Sequence, residues 1–322
     1  MLTPLLFIPA IAAITLASPG THQHRSGGCG KPQDPGYHIR DESGNFSVQS
    51  SGIARYYTVD VPSGYDPDHA YNVIFDYHGN HGDSTQQRDN SQYYKYDASQ
   101  NYVLVYPQGY EEHWQGPSYA VEGIDDLQFA TDLLNHIKNE YCVDPSHVYA
   151  SGKSNGGGFV DLLACSDNGD DFAAFAMAAA ALYTDNSLGA CNKKRAILES
   201  HGENDTTIPY NPTEPGSGGE LPDVGEWVGW WGERDCGCDA VPKVFVDEDD
   251  QYNVTTYSCH GWEDVVKHYH LETLSHCWPD AQGDNYDATG SSHNCIATQV
   301  LDFTSVVFDF FGRWSLENGP KN

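Results

Sequence analysis

The chain has 322 residues, of which 39% are hydrophobic and 12% aromatic, so it can bury the core of a large domain. Its formal net charge is −30, from 46 acidic and 16 basic side chains. A surface this acidic repels the phosphates of nucleic acids and of anionic membranes, so neither is an expected partner.

An apolar run from Leu2 to Ala17 opens the chain and ends in small residues. This pattern is typical of a secretory signal peptide, and the run is too short for a comfortable membrane span. We therefore expect residues 1–17 to be a signal peptide and residues 18–322 to form one domain of a secreted, extracellular protein.

Nine cysteines suit an oxidising compartment and predict four disulfides and one free thiol. Spacing does not fix the pairing, but Cys165 with Cys191 and Cys277 with Cys295 would each close a loop of moderate length. Glycosylation sequons on expected surface loops stand at Asn45 and Asn253.

The first third of the chain predicts strands after an irregular start. Residues 18–52 are rich in Gly, Pro, His and Ser and are expected to form an N-terminal arm that Cys29 ties to the body. Apolar or alternating runs that stop at Pro or Gly then predict three strands, at Arg55–Val61, Asn72–Tyr77 and Tyr102–Tyr106. The polar stretch between the last two is expected to be a loop.

The rest of the chain alternates helical and strand patterns. Asp125 can cap a helix to Tyr141 with an apolar face, and Asp223 with Glu226 forms a capping-box-like pair before a second helix. Further strands are predicted at Val148 onward, Arg195–Ser200, Val244–Val246, Val254–Tyr257 and Val265–Leu271, and an amphipathic helix near the C terminus. The alanine-rich run Phe172–Leu182 fits a strand or a helix, and its place between two crossovers favours a buried strand. This alternation predicts an α/β fold with a doubly wound, mainly parallel sheet and helices on both faces.

One pentapeptide carries the clearest chemical signal. Gly152, Ser154 and Gly156 form a G-x-S-x-G motif between a predicted strand and a predicted helix. In such a nucleophile elbow the chain turns so sharply that glycines must flank the serine, and the following helix directs its N-terminal amides at it. The context predicts that Ser154 is a nucleophile.

A nucleophilic serine needs a base and an acid that orients the base. Asp205 follows the strand Arg195–Ser200 in the turn HGEND, and His276 follows Val265–Leu271 in LSHCWPD. The order serine, acid, histidine at the ends of successive strands is that of α/β-hydrolases, so we predict Asp205 and His276 as the partners of Ser154.

Other histidines fit this role less well. His78 precedes the serine, and its position is that of an oxyanion-hole loop, where amides near Gly79 and Asn80 would join the amide of Asn155. His268 and His270 share a strand face, but no metal-binding motif accompanies them. The later acidic residues Asp280, Asp284 and Asp287 would reverse the order of acid and histidine.

Seven segments in the same order resemble the secreted feruloyl esterases of carbohydrate esterase family 1, of the C and D types. They are GCGK at Gly28–Lys31, YHG at Tyr77–Gly79, WQG at Trp114–Gly116, YCVD at Tyr141–Asp144, GKSNGGGF at Gly152–Phe159, HGEND at His201–Asp205 and HCWP at His276–Pro279. One departure is the histidine loop LSHCWP, which lacks the glycine-rich approach expected before the histidine.

The resemblance implies an α/β-hydrolase that releases ferulic acid from arabinoxylan through Ser154, His276 and Asp205, with an oxyanion hole near Gly79, Asn80 and Asn155. It implies no cofactor and no metal. A feruloylated arabinoxylan or oligosaccharide would be the substrate. Candidate residues for binding its aromatic acid are Trp114, Gln115, Trp230, Trp231 and Trp278.

Three alternatives share this fold. Acetylxylan esterase and polyhydroxyalkanoate depolymerase activity would use the same residues, although depolymerases usually carry a polymer-binding domain. A catalytically inactive carbohydrate-binding homologue would be expected to lack one of the three predicted residues.

Overall fold

The computed structural model describes residues 24–39, 46–289, 295 and 300–321. The predicted signal peptide, residues 1–17, and the sequon at Asn45 lie outside the described residues.

Eleven strands within the described residues form one mixed sheet. The strands are β1 Gly36–His38, β2 Ser47–Ser50, β3 Ile53–Val61, β4 Tyr71–Tyr77, β5 Tyr102–Pro107, β6 Val143–Lys153, β7 Ala174–Ala178, β8 Ile197–Gly202, β9 Lys243–Val246, β10 Tyr252–Cys259 and β11 Trp262–Leu271.

The middle of the sheet is parallel. The strand order is β1-β3-β5-β4-β6-β7-β8-β11-β10-β9, with β2 on β3, and the six strands from β5 to β11 in this order run parallel. Every residue of β5, β7 and β8 is buried, so both faces of the central sheet are covered. The α/β-hydrolase sheet predicted from the sequence is thereby confirmed.

Six α-helices among the described residues pack around this sheet. They are α1 Ser84–Ser91, α2 Asp126–Glu140, α3 Asn155–Ala164, α4 Val224–Cys236, α5 Tyr286–Thr289 and α6 Phe303–Phe311. The predicted caps are confirmed, since Asp125 accepts a hydrogen bond from the amide of Gln128 and Asp223 accepts one from Glu226. Among the described residues no helix is long and apolar enough to cross a membrane.

The prediction of a loop between β4 and β5 is wrong, because this segment contains α1. This helix has the sequence STQQRDNS and no apolar stripe, so hydrophobic periodicity could not reveal it. Its buried side chains are polar, and Gln87 donates a hydrogen bond to the buried carboxylate of Asp76. Asp83 caps the helix by accepting hydrogen bonds from the amides of Thr85 and Gln86.

Two further expectations needed correction. The N-terminal arm is not wholly irregular, because β1 and β2 both pair with β3. The strand predicted over Phe172–Leu182 is shorter and ends at Ala178, after which the chain turns past the N terminus of α3.

Four disulfides are formed and Cys238 is free and exposed among the described residues. Both predicted pairs, Cys165–Cys191 and Cys277–Cys295, are confirmed. Cys29 bonds to Cys142 and so ties the N-terminal arm to the body, as expected, and Cys236–Cys259 links α4 to β10. Such a set is typical of proteins that fold outside the reducing cytosol.

Candidate active site

Ser154 lies in a sharp turn between β6 and α3. Its backbone has φ 56° and ψ −121°, a strained conformation for a residue with a side chain. Glycine is required around it, because a Cβ atom at Gly156 would lie 2.1 Å from the carbonyl oxygen of Tyr77, and one at Gly158 would lie 2.0 Å from that of Ala181. The glycine run after the serine therefore lets α3 pack directly against the backbone beside it.

Three side chains from separate loops form one hydrogen-bonded chain. The hydroxyl of Ser154 lies 2.8 Å from His276 Nε2, and His276 Nδ1 lies 2.7 Å from Asp205 Oδ2. The Asp205 side chain is fully buried, whereas the side chain of His276 is 11% exposed. This geometry can move a proton from the hydroxyl to the imidazole while the carboxylate fixes the tautomer of the ring.

Electrostatics favour an ionised Asp205 beside a neutral His276. Burial would raise the pKa of Asp205, but His276 and His201 outweigh it and hold that pKa well below its usual value. The other oxygen of Asp205 accepts hydrogen bonds from the amides of Thr207 and Ile208, both at 2.8 Å. Burial and the charge of Lys153 lower the pKa of His276, against the opposing effect of Asp205.

The predicted oxyanion residues lie on two segments that meet at Ser154. Gly79 follows β4, and a Cβ atom there would lie 3.3 Å from the Cβ of Ser154. Asn155 begins α3, and no described side chain caps that helix, so its first amides are directed at the space beside the serine. The side chain of Asn80 lies 2.5 Å from His113 Nδ1. The structure thus brings Gly79 and Asn155 to the serine.

Trp114 and His78 connect the Gly79 segment and the Asn155 segment through hydrogen bonds. The indole of Trp114 donates to the carbonyl oxygen of His78, and its backbone amide donates to the side chain of Asn155, both at 2.9 Å. The ring of His78 lies 2.7 Å from the oxygen of Gly79 and accepts from the amide of Gly109 at 2.9 Å. Burial lowers the pKa of His78 to about 4, so the ring is neutral and structural.

Most of the residues predicted to bind an aromatic acid are buried in the core. Trp114 and Trp231 have no exposed surface and Trp278 is 1% exposed, so none offers a ring face to a ligand. The indole of Trp231 donates to Asp161, and that of Trp278 to Thr304. The predicted role of these three tryptophans in binding the aromatic acid is therefore wrong, because burial of their large apolar area makes them core residues.

Gln115 is also structural, because its side chain accepts hydrogen bonds from the amides of Asp126 and Leu127 at the start of α2. Trp230, in contrast, lines a surface cavity. That cavity has a volume of about 240 Å³ and is formed with Tyr183, Leu221 and their neighbours. Tyr183 follows closely after Ala181, whose amide donates to the carbonyl oxygen of Ser154.

Sequence reasoning missed an ion pair that supports the histidine loop. Lys153, next to the serine, lies 3.0 Å from Asp287 Oδ1, and both side chains are nearly buried. Asp287 in turn accepts from the amide of Trp278 at 2.8 Å and from Asn90 at 3.0 Å. In the sequence, only Lys153 beside the serine indicated such a pair. Its partner is 134 residues away, so the sequence could not identify it.

The loop around His276 reaches its position without a glycine of its own. The amide of Asn204 donates to the oxygen of Leu274, and Cys277 is bonded to Cys295. Close approach is permitted by the neighbouring strand, because a Cβ atom at Gly202 would lie 2.0 Å from the same oxygen of Leu274. The departure seen in the sequence is thus compensated by a glycine on β8.

Another cavity of about 240 Å³ borders the site at Gly79 and Lys153 and is lined also by His81, Gln86 and Tyr286. Among the residues that the structure describes, no group of three or more His, Cys, Asp or Glu side chains is placed to hold a metal ion.

No protein-family model matches the chain. The chain is 27% identical over 219 residues to "Probable feruloyl esterase C" of Aspergillus clavatus, a match covering 66% of this chain and 73% of the relative. It is 25% identical over 279 residues to the bifunctional acetylxylan esterase/xylanase XynS20E of Neocallimastix patriciarum, covering 86% of this chain and 36% of that protein.

Among solved structures, Thermogutta terrifontis esterase 2 matches with a TM-score of 0.51 at 11% identity, over 88% of this chain and 95% of the other, which shows a shared fold. The similarity to the Aspergillus clavatus protein confirms the resemblance to feruloyl esterases found in the sequence. The chain is therefore a carboxylic ester hydrolase with the α/β-hydrolase fold, related to feruloyl esterase C.

Proposed function

We propose that the protein is a secreted serine esterase that hydrolyses feruloyl and related hydroxycinnamoyl esters of plant cell-wall arabinoxylan. The hydrogen-bonded chain from Asp205 through His276 to Ser154 carries the proposal. The similarity to the Aspergillus clavatus protein supports the feruloyl group, and the four disulfides support secretion.

In the first step, Ser154 Oγ attacks the ester carbonyl carbon while its proton passes to His276 Nε2. Asp205 stabilises the imidazolium through the 2.7 Å contact at Nδ1. The amides of Asn155 and of the Gly79–Asn80 segment hold the negative charge on the carbonyl oxygen. The bond to the sugar oxygen then breaks, and His276 gives its proton to the leaving alcohol.

In the second step, water attacks the feruloyl ester of Ser154 while His276 takes one of its protons. Breakdown of the second tetrahedral intermediate returns a proton to Ser154 Oγ and releases ferulic acid. The chain's own residues supply every proton transfer in both steps.

The cavity of Trp230 is the proposed site for the aromatic acid. Its lining includes the apolar side chains of Trp230 and Leu221 and the hydroxyl-bearing ring of Tyr183, which suits an aromatic ring with polar substituents. We expect Trp230→Ala to raise KM for methyl ferulate several-fold and to leave hydrolysis of 4-nitrophenyl acetate nearly unchanged. Equal losses on both esters would contradict this placement.

Acetylxylan esterase activity is the second candidate, because the similarity to the Neocallimastix patriciarum protein extends over 86% of this chain. Initial rates on methyl ferulate, methyl sinapate and acetylated xylan, measured side by side, distinguish the two. The proposal predicts higher kcat/KM on the aromatic esters. Faster release of acetate than of either aromatic acid would favour the second candidate instead.

The acid limb of the pH profile tests the proposed base. His276 accepts a proton only when neutral, and its pKa is lowered by burial and Lys153, so the neutral form persists into more acidic solution. We expect the midpoint of the acid limb of kcat/KM to lie below the ordinary histidine value of about 6.5. A midpoint above that value would contradict the proposed electrostatics.

A further inference from the structure

A buried group of charged side chains adjoins Asp205. Glu199 and His201 lie two residues apart on β8, so both side chains point to the same face of the sheet. The parallel register of β8 and β11 places His268 opposite Glu199. The side chains of Glu199 and His201 have no exposed surface, and His268 is 2% exposed.

The contacts of His201 determine its protonation. Its Nδ1 lies 3.0 Å from Glu199 Oε1, and its Nε2 lies 2.8 Å from the carbonyl oxygen of Ile208 and 3.4 Å from Asp205 Oδ2. Carboxylate and carbonyl oxygens only accept hydrogen bonds, so both ring nitrogens of His201 must carry protons. The ring is therefore an imidazolium between two carboxylates.

The pKa directions agree with this assignment. Burial would lower the pKa of His201, but Glu199 and Asp205 raise it to about 10. Burial would raise the pKa of Glu199, but His201 and His268 lower it to about 2. The hydroxyl of Tyr210 lies 3.1 Å from His268 Nε2 and is the next polar contact of this buried group.

We propose that His201 is a positioning residue of the proposed esterase: a permanently protonated ring that holds the Asp205 carboxylate in place and, by offsetting its negative charge, keeps His276 a neutral base in acidic solution. The inference rests on the proposed function and extends it from three residues to five, Glu199 and His201 included. His201 acts through Asp205 and does not touch the reacting atoms.

Other charged groups also act on Asp205 and His276. Asp205 accepts hydrogen bonds from the amides of Thr207 and Ile208, and His276 lies near the Lys153–Asp287 ion pair. All of these remain in a His201→Gln variant, which removes the buried positive charge together with the ring. Without that charge, protonation of His276 becomes easier, so the acid limb moves to higher pH.

The experiment compares the kcat/KM profiles of wild type, His201→Gln and His147→Gln on methyl ferulate. We expect the acid limb of His201→Gln to shift upward by about one pH unit with little change in KM. His147 is a matched control, because it pairs with Asp144 at 3.0 Å near the beginning of β6, away from Ser154 at its end. The His147→Gln limb is expected to stay where it is.

A reduced kcat with an unmoved acid limb in His201→Gln would overturn the inference, since a merely structural role leaves that limb in place. A second measurement needs no variant: ¹⁵N NMR of histidine-labelled wild type at pH 8 should show His201 with both ring nitrogens protonated, and a neutral ring would also overturn it. Ser154→Ala separates the two proposals. Full activity in Ser154→Ala would contradict the proposed function itself. If Ser154→Ala is inactive but the acid limb of His201→Gln does not move, only the present inference is contradicted.

Discussion

Replacing Ser154 by alanine is expected to lower kcat for methyl ferulate by about 10⁴-fold or more. The hydroxyl that lies 2.8 Å from His276 Nε2 is the only group removed, so the acyl-enzyme cannot form. The fold should persist, because alanine keeps the Cβ atom in the strained turn. Circular dichroism and thermal unfolding indistinguishable from wild type would establish that only chemistry is lost.

A nearby serine provides the matched control. Ser151 lies on β6 three residues before the nucleophile, and its hydroxyl donates to Asp76 at 2.7 Å, away from His276. Ser151→Ala is expected to cost some stability, since it removes one of the hydrogen bonds of a buried carboxylate. It should retain kcat within about tenfold of wild type. Similar activity losses in the two variants would count against the special role of Ser154.

Gly156→Ala is expected to destabilise the folded protein by about 3 kcal/mol and to abolish activity. The added methyl group would lie 2.1 Å from the oxygen of Tyr77 and 2.5 Å from that of His78, both backbone atoms that cannot rotate away. Either α3 or the segment that begins at the end of β4 must move, and both segments carry proposed oxyanion amides. Urea unfolding monitored by fluorescence would measure the loss of stability.

Gly64→Ala is the control for that change. No atom lies within 4 Å of a Cβ at Gly64, so the free energy of unfolding should change by less than about 1 kcal/mol. If Gly156→Ala proved as stable and active as Gly64→Ala, the close packing around the nucleophile would be contradicted.

The fold and the central three residues were predictable because local patterns report them. Apolar runs stopped by Gly or Pro located the parallel strands, and residues that follow the carboxyl ends of such strands meet at one edge of the sheet. Ser154, Asp205 and His276 each follow a strand in this way. Their contacts therefore followed from chain order once the sheet was recognised.

Features set by burial or by strand register were not predictable. The tryptophans predicted to bind an aromatic acid could equally be core or surface residues, and Trp114, Trp231 and Trp278 lie in the core. Helix α1 buries polar side chains, so its sequence carries no apolar signal. His268 Nδ1 lies 2.7 Å from Glu199 Oε2, and this proximity depends on the pairing of β8 with β11, which no local pattern specifies.

Covalent labelling tests the central claim most directly. A fluorophosphonate probe reacts with a serine that is activated by a neighbouring base, and mass spectrometry locates the modified residue. We expect one adduct, on Ser154, that is lost in His276→Ala although the serine is still present. An unlabelled wild-type protein, or an adduct on another residue, would contradict it.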